Sequence, residues 1–192
     1  MRLVLLLMAA SVPFWETKPV AEWTIDQVST LLTGSPWAAM VESERSGSAA
    51  AVQVYVATAE PIEQAEQRAR AARKTKTDDP LWQEYLDYLA ENKGKVIVLA
   101  IRAVKPEAFV DNSETAHMEK ESYLRIGKRK YRILGQFPPS STDPYERLVF
   151  PRDVQPGDRD LVFELYIPGT GSPYRRAEFA LKDMVYHGQP CY

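Results

Sequence analysis

An unbroken apolar run, Val96-Ile97-Val98-Leu99-Ala100-Ile101, constrains the fold of this chain more than any other feature. The run has the length of a β-strand, and it lacks the alternation of a strand with one wet face. It therefore predicts a strand over 95–104 that is buried on both faces. A chain of 192 residues is long enough to bury such a strand in the core of one domain, with room for an insertion.

Shorter alternating runs predict the other strands. Residues 52–56 alternate apolar and polar side chains and form a hairpin with 38–44 through the turn Ser46-Gly47-Ser48. A second hairpin joins 123–126 to 131–134 through Gly127-Lys128. Three further strands, separated by turns rich in proline and glycine, are predicted over 145–150, 161–167 and 175–181. This spacing is typical of a sandwich or barrel, and we expect about seven strands.

Three segments show helical patterns. Residues 24–32 begin with Thr24 and carry Gln27 three positions later, which is a capping-box pattern. Residues 61–74 and 81–92 are amphipathic and predict an αα-hairpin inserted between two core strands. The pattern places Glu63, Glu66, Arg70 and Arg73 on the solvent face of the first of these helices. The polar stretch 107–119 is predicted to be a loop.

Together these elements predict an α+β fold that is mainly β. We expect an immunoglobulin-like β-sandwich with a short N-terminal helix and an inserted αα-hairpin at about residues 60–92. The sandwich domain spans 16–192, and 1–15 is a signal-like or tether segment.

The N-terminus has the order of a secretory signal. Met1-Arg2 gives a positive start, an apolar run follows from Leu3, and small residues end it. Cleavage after Ser11 would place Ala9 and Ser11 at the two recognition positions. The run is shorter than the ~20 residues of a transmembrane span. The main prediction is therefore export to the periplasm or cell envelope. The alternative is a retained structural segment or a membrane tether that contacts the bilayer through 3–15.

Several short motifs carry a family resemblance. Trp23-Thr24, Asp26 and the stretch 31–38, which ends in Ser-Pro-Trp-Ala, resemble the N-terminal part of uncharacterised exported proteins that are widespread in acidobacterial genomes. Some of those proteins are associated with GWxTD-type domains. The segments 148–152 and 179–188 are similar to other parts of the same proteins. The resemblance implies an exported protein with a β-rich core, and it implies no activity.

Composition argues against several functional classes. Lys and Arg number 24 against 26 Asp and Glu, a formal net charge of −2, so the chain lacks the basic balance of a nucleic-acid-binding domain. Its single cysteine, Cys191, excludes an internal disulfide. With only two histidines, His117 and His187, most zinc sites are also excluded. We predict no cofactor.

Three groups of residues are candidates for chemistry, and each also has an ordinary structural explanation. Gly169-Thr170-Gly171-Ser172-Pro173 lacks the spacing of a serine nucleophile elbow and predicts a β-turn. Asp183, His187 and Cys191 would share a helix face as metal ligands, but Gly188 and Pro190 interrupt any helix. A thiolate pair of Cys191 with His187 is a further possibility, against a free tail cysteine. No catalytic, cofactor-binding or metal-binding residue is predicted.

Two groups of side chains, one basic and one aromatic, could form a binding surface. The basic cluster on the second hairpin could contact anionic lipid, a polysaccharide or an acidic partner, or it could simply protect a sheet edge; its members are Arg125, Lys128, Arg129, Lys130 and Arg132. The tryptophans could line a binding face or fill the core; they are Trp15, Trp23, Trp37 and Trp82.

These features predict a non-catalytic accessory, structural or interaction module of the cell envelope. Other envelope or membrane proteins are the expected partners, and nucleic acid is not. One alternative is a subunit of a membrane-associated complex that docks through its N-terminal segment. The other is an enzyme of unrecognised class, which would need a concave pocket holding carboxylates of shifted pKa.

Overall fold

A computed structural model describes residues 12–43, 50–73 and 78–192 of the chain. Its strands, numbered in chain order, are β1 (Ala38–Val41), β2 (Val52–Val56), β3 (Val96–Arg102), β4 (Tyr123–Ile126), β5 (Arg129–Arg132), β6 (Gly135–Phe137), β7 (Tyr145–Pro151), β8 (Asp160–Tyr166), β9 (Tyr174–Ala180), β10 (Val185–Tyr186) and β11 (Gln189–Pro190). Its helices are α1 (Phe14–Thr17), α2 (Ile25–Thr33), α3 (Glu60–Ala72), α4 (Pro80–Asn92) and α5 (Asn112–Glu121).

Antiparallel strands form two main sheets in the described part of the chain. The larger sheet has the order β1-β2-β3-β7-β6, and the smaller has the order β5-β4-β8-β9. The short strands β10 and β11 make a separate hairpin near the C-terminus. The predicted α+β class, mainly β and built as a β-sandwich, is confirmed. Its immunoglobulin-like character stays a prediction.

Strand β3 is covered on both faces, as its apolar run predicts. Paired residues of neighbouring strands point to the same face of a sheet. Ile97 pairs with Phe150, whose ring packs against Phe163 of the smaller sheet at a centroid distance of 5.5 Å. Ala100 pairs with Arg147, whose side chain reaches the helical layer on the opposite face. The larger sheet is therefore the middle layer between the smaller sheet and the helices.

Two helices of the helical layer, α3 and α4, are inserted between β2 and β3, as predicted. Helix α2 begins with the predicted capping box, in which the Gln27 amide donates to Thr24 Oγ1 at 3.2 Å and the Thr24 amide donates to Gln27 Oε1 at 3.1 Å. Helix α3 packs along α2, and the space between α3 and α4 is an open cleft.

Two sequence predictions need correction. The segment 107–119 is not a loop, because it contains a 3₁₀ turn (Pro106–Phe109) and most of α5. Asp111 caps α5 by accepting hydrogen bonds from two backbone amides, and Met118 is the buried side chain of that helix. One buried residue leaves no apolar stripe for a periodicity argument to detect. Glu66 is the second correction: it is 8% exposed rather than solvated.

The second predicted hairpin is confirmed with shifted bounds. Ile126 pairs with Arg129, so β5 begins two residues earlier than the predicted strand at 131–134. This register leaves a two-residue turn, Gly127-Lys128, in which Gly127 has a φ of +60°. A positive φ at that position is inexpensive for glycine.

The described part of the N-terminal segment packs against the core. The Phe14 ring lies 5.5 Å from that of Trp23, and the Trp15 ring lies 6.0 Å from that of Trp37. Glu16 accepts a hydrogen bond from the His187 amide. The predicted export signal and the turn Ser46-Gly47-Ser48 lie outside the described residues. Within those residues, every helix is too short or too polar to cross a bilayer.

Candidate functional site

A cleft of about 620 Å³ lies between α3 and α4. We call it the α3–α4 cleft. Helix α3 contributes Glu63 and Glu66, and helix α4 contributes Leu86 and Leu89. The C-terminal segment, including Cys191, also lines the cleft. Its volume lies in the range of small-molecule and side-chain binding pockets.

Glu66 and Tyr85 line the cleft, and a buried arginine behind them bonds to both; we call this network the floor of the cleft. Arg147 projects from β7 and is 1% exposed. Its Nη2 donates to Glu66 Oε1 at 2.6 Å, its Nε donates to Asp143 Oδ2 at 2.7 Å, and its Nη1 donates to the Tyr85 hydroxyl at 3.2 Å. The guanidinium also lies 4.4 Å from the centre of the Tyr85 ring. Two carboxylates therefore compensate one buried cation.

Tyrosines complete this network. The Tyr55 hydroxyl donates to Glu66 Oε1 at 2.6 Å. Burial, followed by the charge of Glu66, raises the pKa of Tyr55 well above its ordinary value, and burial raises the pKa of Tyr85. Burial alone would lower the pKa of Arg147, but Glu66, Tyr85 and Asp143 hold it well above its ordinary value. The floor is thus a charged network that is satisfied internally, and such networks rigidify a site.

The start of α4 is fixed to the loop at 138–144. The Asp79 carboxylate accepts a hydrogen bond from the Trp82 amide at 3.2 Å and others from the hydroxyls of Ser140 and Thr142. Arg70 of α3 donates to the Thr142 carbonyl at 3.1 Å, and its guanidinium lies 4.0 Å from the centre of the Trp82 ring. These contacts hold the two walls of the cleft at a defined separation.

The side chains in the walls of the cleft have fewer partners than those of the floor. Glu63 is half-buried, and its carboxylate makes no hydrogen bond or ion pair within the described residues. Burial raises the pKa of Glu63, an effect that the charge of Lys93 partly offsets. Leu86 is 38% exposed although it is apolar. The cleft therefore offers one unpaired carboxylate beside apolar surface.

Cys191 is anchored rather than a free tail residue. Its carbonyl accepts a hydrogen bond from Trp37 Nε1 at 2.6 Å, and its sulfur accepts one from the Glu60 amide at 3.2 Å. Burial raises the pKa of its thiol. His187 instead lies beside Glu16, with 3.3 Å between Nδ1 and Oε2. The structure does not show a Cys191–His187 thiolate pair.

The structure also locates the candidate metal ligands and the candidate serine nucleophile. Residues 12–43, 50–73 and 78–192 contain no group of three His, Cys, Asp or Glu side chains that could hold a metal ion. Asp183, His187 and Cys191 therefore do not form such a cluster. Ser172 lies in a turn that contains Gly169 at a φ of +73°, and the Ser43 hydroxyl donates to its Oγ at 2.6 Å.

The basic cluster does not form one surface. Strand alternation places Lys130 and Arg132 on one face of β5, and Arg125 pairs with Lys130 on that same outer face. Lys130 lies 3.3 Å from the centre of the Tyr123 ring. Arg129 points to the opposite face, where it makes an ion pair with Asp158 at 2.6 Å and another with Asp153. Lys128 is exposed in the turn.

The four tryptophans separate into two groups. Trp23 and Trp37 are buried in the core, and Trp15 packs against Trp37 from the N-terminal segment. Trp82 lines the α3–α4 cleft. The core interpretation therefore accounts for three of the four, and one contributes to the candidate site.

Comparison of the chain with family models, curated proteins and solved structures yields no match.

Proposed function

We propose that this domain is a non-catalytic interaction module of the cell envelope that binds its partner in the α3–α4 cleft. The observation that carries the proposal is the contrast between the floor and the walls of the cleft. The floor is a closed network around Arg147, whereas the walls present Leu86, Leu89 and the unpaired Glu63. A rigid support beneath unsatisfied groups is what a binding site requires.

The chemistry of the lining favours binding over catalysis. No histidine is among the described residues that line the cleft. Its cysteine thiol is held in the neutral form, because burial raises its pKa. Glu66 is occupied by Arg147 and Tyr55. An activated nucleophile needs a base within hydrogen-bond reach, and these contacts provide none.

The envelope part of the proposal depends on the sequence. It is supported by the signal-like pattern of residues 1–11 and by the resemblance to exported acidobacterial proteins. The two antiparallel sheets are also compatible with the immunoglobulin-like sandwich that we propose, since such sandwiches commonly serve recognition.

Docking through the N-terminal segment is the weaker alternative. Phe14 and Trp15 already pack against Trp23 and Trp37 of the same chain, so a partner would have to displace them. None of the described segments fills the α3–α4 cleft in this way.

The test uses two leucines of α4 with nearly equal exposure. Leu86 is 38% exposed and lines the cleft, whereas Leu81 is 39% exposed and is not among the cleft-lining residues. Tagged full chains carrying Leu86→Asp or Leu81→Asp, and the wild type, are used to capture partners from gently solubilised envelopes, with quantitative mass spectrometry.

We expect Leu86→Asp to reduce capture of the main partner at least tenfold and Leu81→Asp to leave it unchanged. An introduced aspartate in an apolar contact costs more than the 1.4 kcal/mol that corresponds to about tenfold in affinity. Equal capture by the wild type and Leu86→Asp, or no specific capture by the wild type, contradicts the proposal. Circular dichroism confirms that both variants are folded.

A further inference from the structure

The Glu63 carboxylate is the one acidic group of the α3–α4 cleft that is both partly desolvated and unpaired within the described residues. Glu66, one helical turn further along α3, has Arg147 and Tyr55 as partners. Glu60, one turn before Glu63, is exposed to water and bonds to Gln64. Taking a carboxylate out of water without a partner is unfavourable. A bound cation would remove that cost.

Glu63 lies between two further carboxylates of α3. Glu60 and Glu66 lie three residues before and after it on the same helix and add negative potential, which contributes to the raised pKa of Glu63. Lys93 attracts it from the end of α4 but forms no ion pair with it in the described structure. Arg152, the other cation of the lining, lies over the Tyr192 ring at 4.6 Å.

The opposite wall of the cleft offers apolar surface. Leu86 and Leu89 are three residues apart on α4, so they share a face. A side chain that carries an ammonium or guanidinium on an aliphatic stem buries the stem on apolar surface and directs the charge toward a carboxylate. Lysine and arginine have this construction.

We propose that the partner segment bound in the α3–α4 cleft inserts a basic side chain, with Glu63 as its counter-ion and Leu86 and Leu89 against its stem. This assignment rests on the proposed function of the cleft. It adds the chemistry of the recognised group.

The test separates charge from stem with three small probes. Nα-acetyl-lysine N-methylamide supplies both, the norleucine analogue supplies a similar stem without the charge, and the glutamate analogue reverses the charge. Each is titrated to about 100 mM against the ¹⁵N-labelled full chain, because isolated groups bind in the millimolar range or weaker. The variants are Glu63→Gln and, as the matched control, Glu91→Gln on the exposed face of α4.

We expect the lysine probe to shift amides of α3 and α4 that line the cleft. Glu63→Gln is expected to weaken its binding roughly fivefold, as for a partly exposed ion pair, and Glu91→Gln to leave it unchanged. The norleucine probe binds more weakly than the lysine probe, and the glutamate probe does not bind.

Three results would overturn the assignment. Glu63→Gln could bind the lysine probe as tightly as the wild type does, or the norleucine probe could bind as tightly as the lysine probe. The third result is that the lysine probe shifts no amide of the wild type at about 100 mM, the highest concentration used. If Leu86→Asp abolishes partner capture while Glu63→Gln changes neither capture nor probe binding, the cleft remains the binding site and only the basic group is wrong. If Leu86→Asp leaves capture intact, the proposed function itself fails.

Discussion

The guanidinium of Arg147 meets the carboxylate of Glu66 at 2.6 Å between Nη2 and Oε1, with both residues buried. Arg147 belongs to β7 and Glu66 to α3, so this ion pair joins the sandwich to its inserted helical layer. Tyr85 of α4 contacts the same guanidinium. One arginine of β7 therefore connects α3 and α4, the two helices that line the α3–α4 cleft.

Replacing Arg147 tests whether this network stabilises the fold. Arg147→Met leaves the carboxylates of Glu66 and Asp143 buried without their cation, and breaking such a pair from one side typically costs about 3–5 kcal/mol. We expect a loss of this size in the free energy of unfolding, measured by urea denaturation. The double variant with Glu66→Gln is expected to be more stable than Arg147→Met alone, because it removes one uncompensated charge. A single variant within about 0.5 kcal/mol of the wild type, as for an ordinary surface substitution, contradicts this account.

Asp79 tests the anchoring of α4, and its neighbour provides a matched control. Asp79→Ala removes the N-cap and the bonds to Ser140 and Thr142, and we expect a loss of about 1–2 kcal/mol. Asp78→Ala, at an exposed position one residue earlier, is expected to change stability by less than about 0.5 kcal/mol. Urea denaturation of both variants measures the difference. Equal losses at the two positions would show that the cap contributes nothing.

The pH dependence of the Asp79 effect follows from its pKa. Burial acts to raise the pKa of Asp79, but hydrogen bonds from Ser140, Thr142 and the Trp82 amide outweigh it and lower the pKa. A group with a lowered folded-state pKa stabilises the fold at neutral pH and loses that contribution as the pH falls through the folded pKa. The difference between wild type and Asp79→Ala should therefore shrink on acidification below about pH 4.

The buried carboxyl group of Glu146 should make the fold less stable as the pH rises. Its side chain is fully buried, neither carboxylate oxygen has a hydrogen-bond partner in the described structure, and burial raises its pKa well above the ordinary value. The folded state therefore retains a proton that the unfolded chain releases near pH 4.3. Between these two pKa values, stability falls by up to about 1.4 kcal/mol per pH unit as the pH rises.

Glu146→Gln removes this titration while keeping the shape of the side chain. We expect the variant to gain stability relative to the wild type as the pH rises from about 4.5 to 8, measured by urea denaturation at each pH. Glu91→Gln, at an exposed position, should follow the wild type throughout. Parallel stability curves for the wild type and Glu146→Gln would show that Glu146 does not titrate between these limits.

Cys191 reports on the cleft because it is the only cysteine of the chain. Burial raises the pKa of its thiol, and the thiolate is the reactive form. We expect alkylation by iodoacetamide at pH 7.5 to be at least tenfold slower in the native protein than in the same chain unfolded in urea. The native rate should increase with pH as the thiolate forms. Equal rates in the two states would contradict the anchored position of Cys191.

The parts of the fold that depend on local pattern were predictable. The strand around Val96–Ile101 and the capping box of Thr24 and Gln27 each carry their signal within a few residues. Helix α5 was missed because its polar sequence buries Met118 alone. The signal that could have located its start is Asp111, an N-cap residue type, with Glu114 three positions later.

The floor of the candidate site was not predictable, because its members meet only through tertiary packing. Glu66 and Arg147 lie 81 residues apart in the chain. Helical periodicity placed Glu66 on the solvent face, and only the buried cation of β7 explains why that carboxylate is inside. A weak signal existed, since Arg147 directly precedes the apolar Leu148-Val149-Phe150 in a strand that lies within the core.

Photo-crosslinking in cells that produce this protein naturally tests the central claim most directly. Benzoylphenylalanine is placed at Leu86 in the cleft or at Leu81 outside it, and the irradiated chain is analysed by intact mass and peptide mapping. Our account predicts a discrete adduct from position 86, at a peptide that contains a lysine or arginine, and none from position 81. Adducts of equal yield from both positions, or from neither, would contradict the assignment of the α3–α4 cleft as the binding site.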